Sequence, residues 1–168
     1  MSHLIKLPLA LVLQKLSPSS FPYSLMAMGI YLLVYMFSGM VGLIIDPLTI
    51  YSPMEILRLI VIEAVLLTLY CYLVLSLNKR ANRLIKTAGS VFASNIIFNC
   101  LYILLTVVGG MFLSEDSFIL SIFYLSLFVW SIHISGWIIS ESIDSVYASG
   151  VFIFLGYTAI WMIVSGLI

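Results

Sequence analysis

Few side chains in this sequence can do chemistry, and they are widely spaced. Of 168 residues, seven are Lys or Arg and seven are Asp or Glu. The most informative is Glu63, which stands near the middle of the apolar run from Met54 to Leu77. An ionised carboxylate at the centre of a hydrocarbon layer costs about 3 kcal/mol or more, so such a residue is a functional hypothesis by default. Arg58 is five residues away and points about 140° around a helix at 100° per residue, out of reach. Desolvation without a counter-charge favours the neutral acid. A neutral carboxyl donates one hydrogen bond and accepts others. The apolar run at 86–110 offers partners, because Ala88, Asn95, Asn99, Tyr102 and Thr106 recur at helical spacing and form one stripe. Asn99 or Asn95 is the expected partner of Glu63. This polar cluster of Glu63, Asn95, Asn99 and Tyr102 has two readings. It is interhelical hydrogen bonding that holds helices together, or a proton or substrate site at mid-membrane.

Two other ionisable residues lie inside apolar runs. Arg58 follows Glu55 by three residues and is expected to reach the interface and pair with it. His133 shares a helical face with Trp130 and Trp137, which reads as a histidine beside an aromatic belt. Nothing else has catalytic spacing. His3 and His133 are far apart, and Cys71 and Cys100 form no CxxC pair, so no metal site or other cofactor is expected. Cys71 and Cys100 also differ in depth by on the order of 10 Å, too far for a disulfide. No phosphate-binding loop, dinucleotide fingerprint, HExxH or GxSxG occurs. The chain is not expected to be an enzyme, for want of a nucleophile, base and acid set together.

Composition identifies the scaffold that must position these groups. The chain is 63% hydrophobic and 8% charged, against roughly 25% charged in soluble domains. Its natural solvent is lipid. The net charge of zero excludes the electrostatic footprint of a nucleic-acid binder. A spanning helix needs about 20 mostly apolar residues, and five stretches qualify, at about 21–45, 54–77, 86–110, 118–140 and 146–168. The expected fold is all-α: a polytopic membrane bundle of five transmembrane helices (residues 21–168), preceded by an interfacial N-terminal segment (residues 1–20).

In that segment, Leu4–Leu16 reads as a short helix on the membrane surface, with Pro8 in its first turn and Lys6 and Lys15 at headgroups. Gln14 and Lys15 end the apolar run and no cleavage signal follows, so it is expected to be retained. The punctuation agrees. Ser52-Pro53-Met54-Glu55 is a capping box with proline at the first helical position. Asp46-Pro47 ends the first span. Ser114-Glu115-Asp116 puts a cap and two acids before the fourth. Ser38 with Gly42, and Gly89 with Ala93, are small pairs four apart that allow close helix approach.

Basic residues set the orientation. Lys6 and Lys15 precede the first span. Lys79, Arg80, Arg83 and Lys86 form a basic loop between the second and third, and the loops at 46–53 and 114–117 contain none. The N-terminus is expected in the cytoplasm and the C-terminus outside. Glu141 and Asp144 then share the cytoplasmic rim with the basic loop and can pair with it.

Three segments carry a family resemblance: Leu16-Ser17-Pro18-Ser19-Ser20-Phe21-Pro22-Tyr23-Ser24 before the first span, Asn82-Arg83-Leu84-Ile85-Lys86-Thr87-Ala88 before the third, and Trp130 in the fourth. With the five-span arrangement they resemble small bacterial Yip1-like membrane proteins. The chain has no long acidic N-terminus like that of the trafficking members. The resemblance implies a bacterial inner (cytoplasmic) membrane protein and carries over no functional residue.

Two functions follow as expectations. The first is a non-enzymatic scaffold or assembly partner in the bilayer, favoured by short loops and small-residue pairs. Its partners would be the lipid bilayer and another membrane protein or a second copy of the chain. The alternative is a small transporter or channel subunit that uses Glu63 with Asn95 and Asn99. A continuous polar cavity at Glu63 favours the second, and dry packing the first. For the topology, reporter fusions at residues 82 and 168 should read cytoplasmic and external respectively. Both on one side would overturn the odd number of spans.

Overall fold

The computed structural model describes residues 2–46, 51–112 and 117–167. Among these residues the chain is all-α. A short helix α1 (Ser2–Val12) precedes five long ones: α2 (Leu25–Ile45), α3 (Pro53–Leu77), α4 (Leu84–Phe112), α5 (Phe118–Ile143) and α6 (Tyr147–Ser165). Each of α2 to α6 is long and apolar enough to cross a membrane. The acids expected to cap the fourth span, Ser114-Glu115-Asp116, lie outside the described residues, as does Pro47.

The helix boundaries follow local chemistry. At α3 the Ser52 hydroxyl accepts from the Glu55 amide at 3.4 Å, and the Glu55 carboxylate accepts from the Ser52 amide at 2.7 Å. Pro53 sits at the first helical position, where its missing N–H is no loss. Ser24 caps α2 through the Ala27 amide at 3.2 Å. Lys79 and Asp144 turn the chain after α3 and α5 with φ of 57° and 54°, the left-handed conformation that ends many helices.

The core centres on the first half of α4. Eight consecutive residues, Thr87 to Ser94, are buried, which requires neighbours on every side. Those neighbours are α2, α5, α1 and the 3-10 turn Pro18–Ser20. Six of the eight are small (Thr87, Ala88, Gly89, Ser90, Ala93 and Ser94), so flanking backbones come close. The Phe21 ring lies on Gly89, where an added Cβ would stand 2.9 Å from the ring. Phe21 also packs against Tyr31 at 5.2 Å.

The N-terminal helix differs from the expected one in where Pro8 falls and in what its apolar side meets. Pro8 lies within α1, past its first turn, and is buried. With Leu11 and Val12 it makes a buried stripe at helical spacing, and α1 packs against α4. A seven-residue apolar run has no polar face to leave at the interface, so one side docks on protein while Leu9 and Leu13 stay exposed. Beyond α1, Gln14 Nε2 meets His133 Nε2 at 3.0 Å. His133 stands ten residues before the end of α5, about 15 Å along its axis. The Tyr147 hydroxyl hydrogen-bonds His133 Nδ1, so this histidine ties the segment to α5 and α6.

The tightest helix contact joins α5 to α6. A Cβ on Gly150 would lie 2.1 Å from the Gly136 carbonyl oxygen, and one on Gly136 would lie 2.7 Å from the Val151 Cα. Gly150→Ala therefore forces the backbones apart. It should cost at least the 1–3 kcal/mol, roughly, of an overpacked core, read as a fall in thermal midpoint in detergent. Gly29→Ala meets open space and should instead gain about 0.5–1 kcal/mol of helix propensity. An equal response of the two variants would contradict the contact.

Candidate functional site

Glu63 stands ten residues into α3, about 15 Å along the helix from its start. It lines a cavity of about 520 Å³ bounded by α2, α3, α4 and α6. From Tyr51, Ser165 and Gly166, at the helix ends opposite the basic loop, the cavity extends to Glu63, Tyr35 and Asn99 at mid-depth. Four aromatic side chains line it: Tyr35, Tyr51, Tyr102 and Trp161. Among the described residues no Lys, Arg or His lines it, and Glu63 is the one acidic residue that does. Arg58 is exposed on another face of α3.

The expected pairing of Glu63 with α4 is corrected. The Asn99 amide donates to the Ser38 hydroxyl at 3.0 Å and to the Tyr35 carbonyl at 3.4 Å, both on α2. The Tyr35 side chain lines the same cavity as Glu63. Asn95 is half-buried, lies outside the cavity and makes no side-chain hydrogen bond among the described residues. The physical reason is helix order. α2 lies along α4 more extensively than α3 does, so the polar face of α4 spends its donors on α2. Gly39 and Gly42 permit this approach, with their α-carbons facing Asn99 and Tyr102.

The stripe on α4 therefore divides. Asn99 and Tyr102 reach the cavity. The Tyr102 hydroxyl donates to the Asp46 carboxylate at the end of α2. Thr106 turns to α5, with its hydroxyl 3.0 Å from that of Tyr124, and Ala88 is buried in the core.

Sequence reasoning missed Tyr35, Tyr51 and Trp161. Tyr35 was within reach of it. It precedes Ser38 and Gly42 by three and seven residues, so it belongs to the same face of α2 as that small pair. Tyr157, on α6, is buried and its hydroxyl has no hydrogen-bond partner among the described residues. Its ring packs on Tyr70 at 5.6 Å, and the Tyr70 hydroxyl donates to the Ile153 carbonyl at 2.6 Å. This pair of tyrosines holds α6 against α3.

The basic loop meets the turn after α5. Arg80 Nη2 lies 2.7 Å and Arg83 Nη1 2.8 Å from the Asp144 carboxylate. Arg83 also donates to the Ser142 carbonyl at 2.9 Å. Lys86 Nζ donates to the Ser19 carbonyl at 2.7 Å. Lys79 is exposed at the end of α3. Cys71 is buried and Cys100 exposed, both as free thiols. Among the described residues no group of three or more His, Cys, Asp or Glu side chains is placed to hold a metal ion.

No family model, curated protein or solved structure matches this chain.

The hydrogen bond from Arg83, with the nearby charges of Arg83 and Arg80, holds the Asp144 carboxyl below its ordinary value. A depressed carboxyl contributes stability above its unfolded value and loses it as pH falls through its folded one. Asp144→Asn should thus lower the thermal midpoint at neutral pH. The gap from the parent should close below about pH 4, the ordinary aspartate range. A gap that persists in acid would assign the effect to something other than these ion pairs.

Proposed function

We propose that this protein is a multi-pass membrane protein of the transporter type that binds a small organic cation at Glu63. The observation that carries the reading is one carboxyl at the inner end of an aromatic-lined cavity whose wall, among the described residues, has no basic side chain. The volume, about 520 Å³, falls within the roughly 300–1,000 Å³ of small-molecule sites. Aromatic faces attract cations through the ring quadrupole, and a lone carboxylate provides the counter-charge.

The chemistry is an exchange. Without ligand, the unpaired Glu63 keeps its proton, because nothing at its depth neutralises the anion. An entering cation replaces that proton, which leaves toward the cavity mouth. The carboxylate formed then accepts from the Tyr35 hydroxyl and faces the cation. Binding of one monocation thus releases one proton. The scaffold function rests on the short loops and small-residue contacts, and the cavity is what favours transport over it.

On the charge distribution we further propose a bacterial inner-membrane location, with the basic end in the cytoplasm and the cavity mouth outside. The Yip1-like resemblance is consistent with that placement and assigns no site.

Tetraphenylphosphonium, a hydrophobic monocation, is a suitable probe. The purified protein should bind it saturably and more weakly as pH falls, since proton and cation compete for one carboxylate. Glu63→Gln keeps a donor and an acceptor, so it should fold normally and lose binding. Glu63→Leu should lose binding and about 1 kcal/mol of stability, the scale of a hydrogen bond between membrane helices. Unchanged binding by Glu63→Gln would refute the cation site. Proteoliposome uptake driven by a pH gradient then separates transport from binding alone.

A further inference from the structure

Three polar side chains in the wall of the Glu63 cavity already have protein partners. The Asn99 amide donates to the Ser38 hydroxyl and the Tyr35 carbonyl. The Tyr102 hydroxyl donates to the Asp46 carboxylate, and the Ser165 hydroxyl to the Met162 carbonyl at 3.2 Å. Their donor hydrogens are thereby engaged, and a ligand carboxylate or phosphate finds none of them. Leu59, Ile60 and Met162 add apolar wall to the rings of Tyr35, Tyr51, Tyr102 and Trp161. A zwitterion such as an amino acid is therefore a poor fit, and a ligand with positive charge alone a good one.

Cations differ in what they require of such a wall. A primary ammonium has three N–H donors and is strongly hydrated. Glu63 can accept from some of them, but rings and alkyl side chains leave the rest unpaired, which weakens binding. A quaternary onium has no N–H. It presents its charge on alkyl groups, which lie against aromatic faces, and needs one carboxylate as counter-charge.

A ring serves this purpose only while its face is turned to the ligand, and the Tyr102 ring is held at three places. It lies against α2 at Gly42, where an added Cβ would stand 3.4 Å from Cδ1. It packs against the Tyr124 ring at 5.2 Å, and the Tyr124 hydroxyl is itself bonded to Thr106. Its own hydroxyl is bonded to Asp46, the residue that ends α2. Asp46 does not line the cavity, so it reaches a ligand through this ring.

On the reading of Glu63 as a cation site, we propose that the cavity selects a quaternary onium over a primary ammonium, with Asp46 as the positioning residue that holds Tyr102 as part of its aromatic wall.

The test uses the full chain in detergent, with calorimetric titration at neutral pH. The probes are benzyltrimethylammonium and benzylammonium, monocations with the same ring. The parent should bind the quaternary probe at least about fivefold more tightly, the lower end of the effect of leaving one donor unpaired. Glu63→Gln should lose both. Tyr102→Phe keeps the ring and removes its tie, and Asp46→Ala removes the tie from the other side. Each should weaken binding of the quaternary probe about two- to fivefold, the range of one exposed cation–aromatic contact, and the double variant should lose no more than either one. Asp46→Asn keeps an acceptor for the hydroxyl and should bind like the parent. Thermal midpoints without ligand check the fold of each variant. Equal binding of the two probes, lost in Glu63→Gln, would overturn the selectivity and leave the cation site standing. Binding of neither probe, or unchanged binding by Glu63→Gln, would overturn both. Losses that add in the double variant, or an Asp46→Asn as weak as Asp46→Ala, would overturn the positioning role.

Discussion

Helices in lipid gain nothing from hiding apolar surface from one another, because the surrounding chains are equally apolar. They associate through close packing and polar contacts, and the structure depends on where the backbones can approach. That place is the first half of α4. Its small side chains from Thr87 to Ser94 let α1, α2 and α5 come in from different sides. A second close approach, between Gly136 and Gly150, joins α6 to α5. α3 has no comparable seat, and its contacts with α2, α4 and α6 are each less extensive. The Glu63 cavity lies along this loosely held helix, in the half of the bundle that neither close approach reaches. Where backbones cannot close, side chains must fill the space, and Tyr35, Tyr102 and Trp161 fill it incompletely.

Much of the architecture was legible in the sequence. The five runs of apolar residues mark the five long helices to within a few positions, because a helix satisfies its backbone hydrogen bonds within one such segment. The capping box at Ser52 and Glu55 was legible because its four residues act locally. The meeting of Arg80 and Arg83 with Asp144 followed from parity, since two spans, an even number, separate those loops and return the chain to the same end.

Helix order and rotation were not legible, and the expectation for Glu63 failed there. The polar stripe on the third span makes Asn99 or Asn95 the expected partner of Glu63, whereas Asn99 bonds to Ser38 and the Tyr35 carbonyl. A soluble helix shows its buried side by amphipathic contrast. In this chain the buried and the exposed faces carry the same apolar residues, so the contrast is nearly absent. Leu67 is 1% exposed and Leu69 59%, on one helix and with the same side chain. Only small and polar residues break this degeneracy. Ser38 and Gly42 were therefore readable as a contact while their partner was not. The Gly136–Gly150 contact needs one glycine from each of two helices, and no spacing within either one reveals it.

The two ends of the bundle are held by different forces. At the cavity mouth the ties are the Tyr102–Asp46 hydrogen bond and apolar contacts, with Tyr51 and Gly166 leaving the space open. At the basic end the close Gly136–Gly150 contact lies beneath the Asp144 ion pairs with Arg80 and Arg83. Asp144 sits in the turn that joins α5 to α6, and the ion pairs there are exposed to water, where such pairs are weak. The close approach of the two backbones at Gly136 and Gly150, rather than the charges, is therefore what holds α6 against α5 at this end.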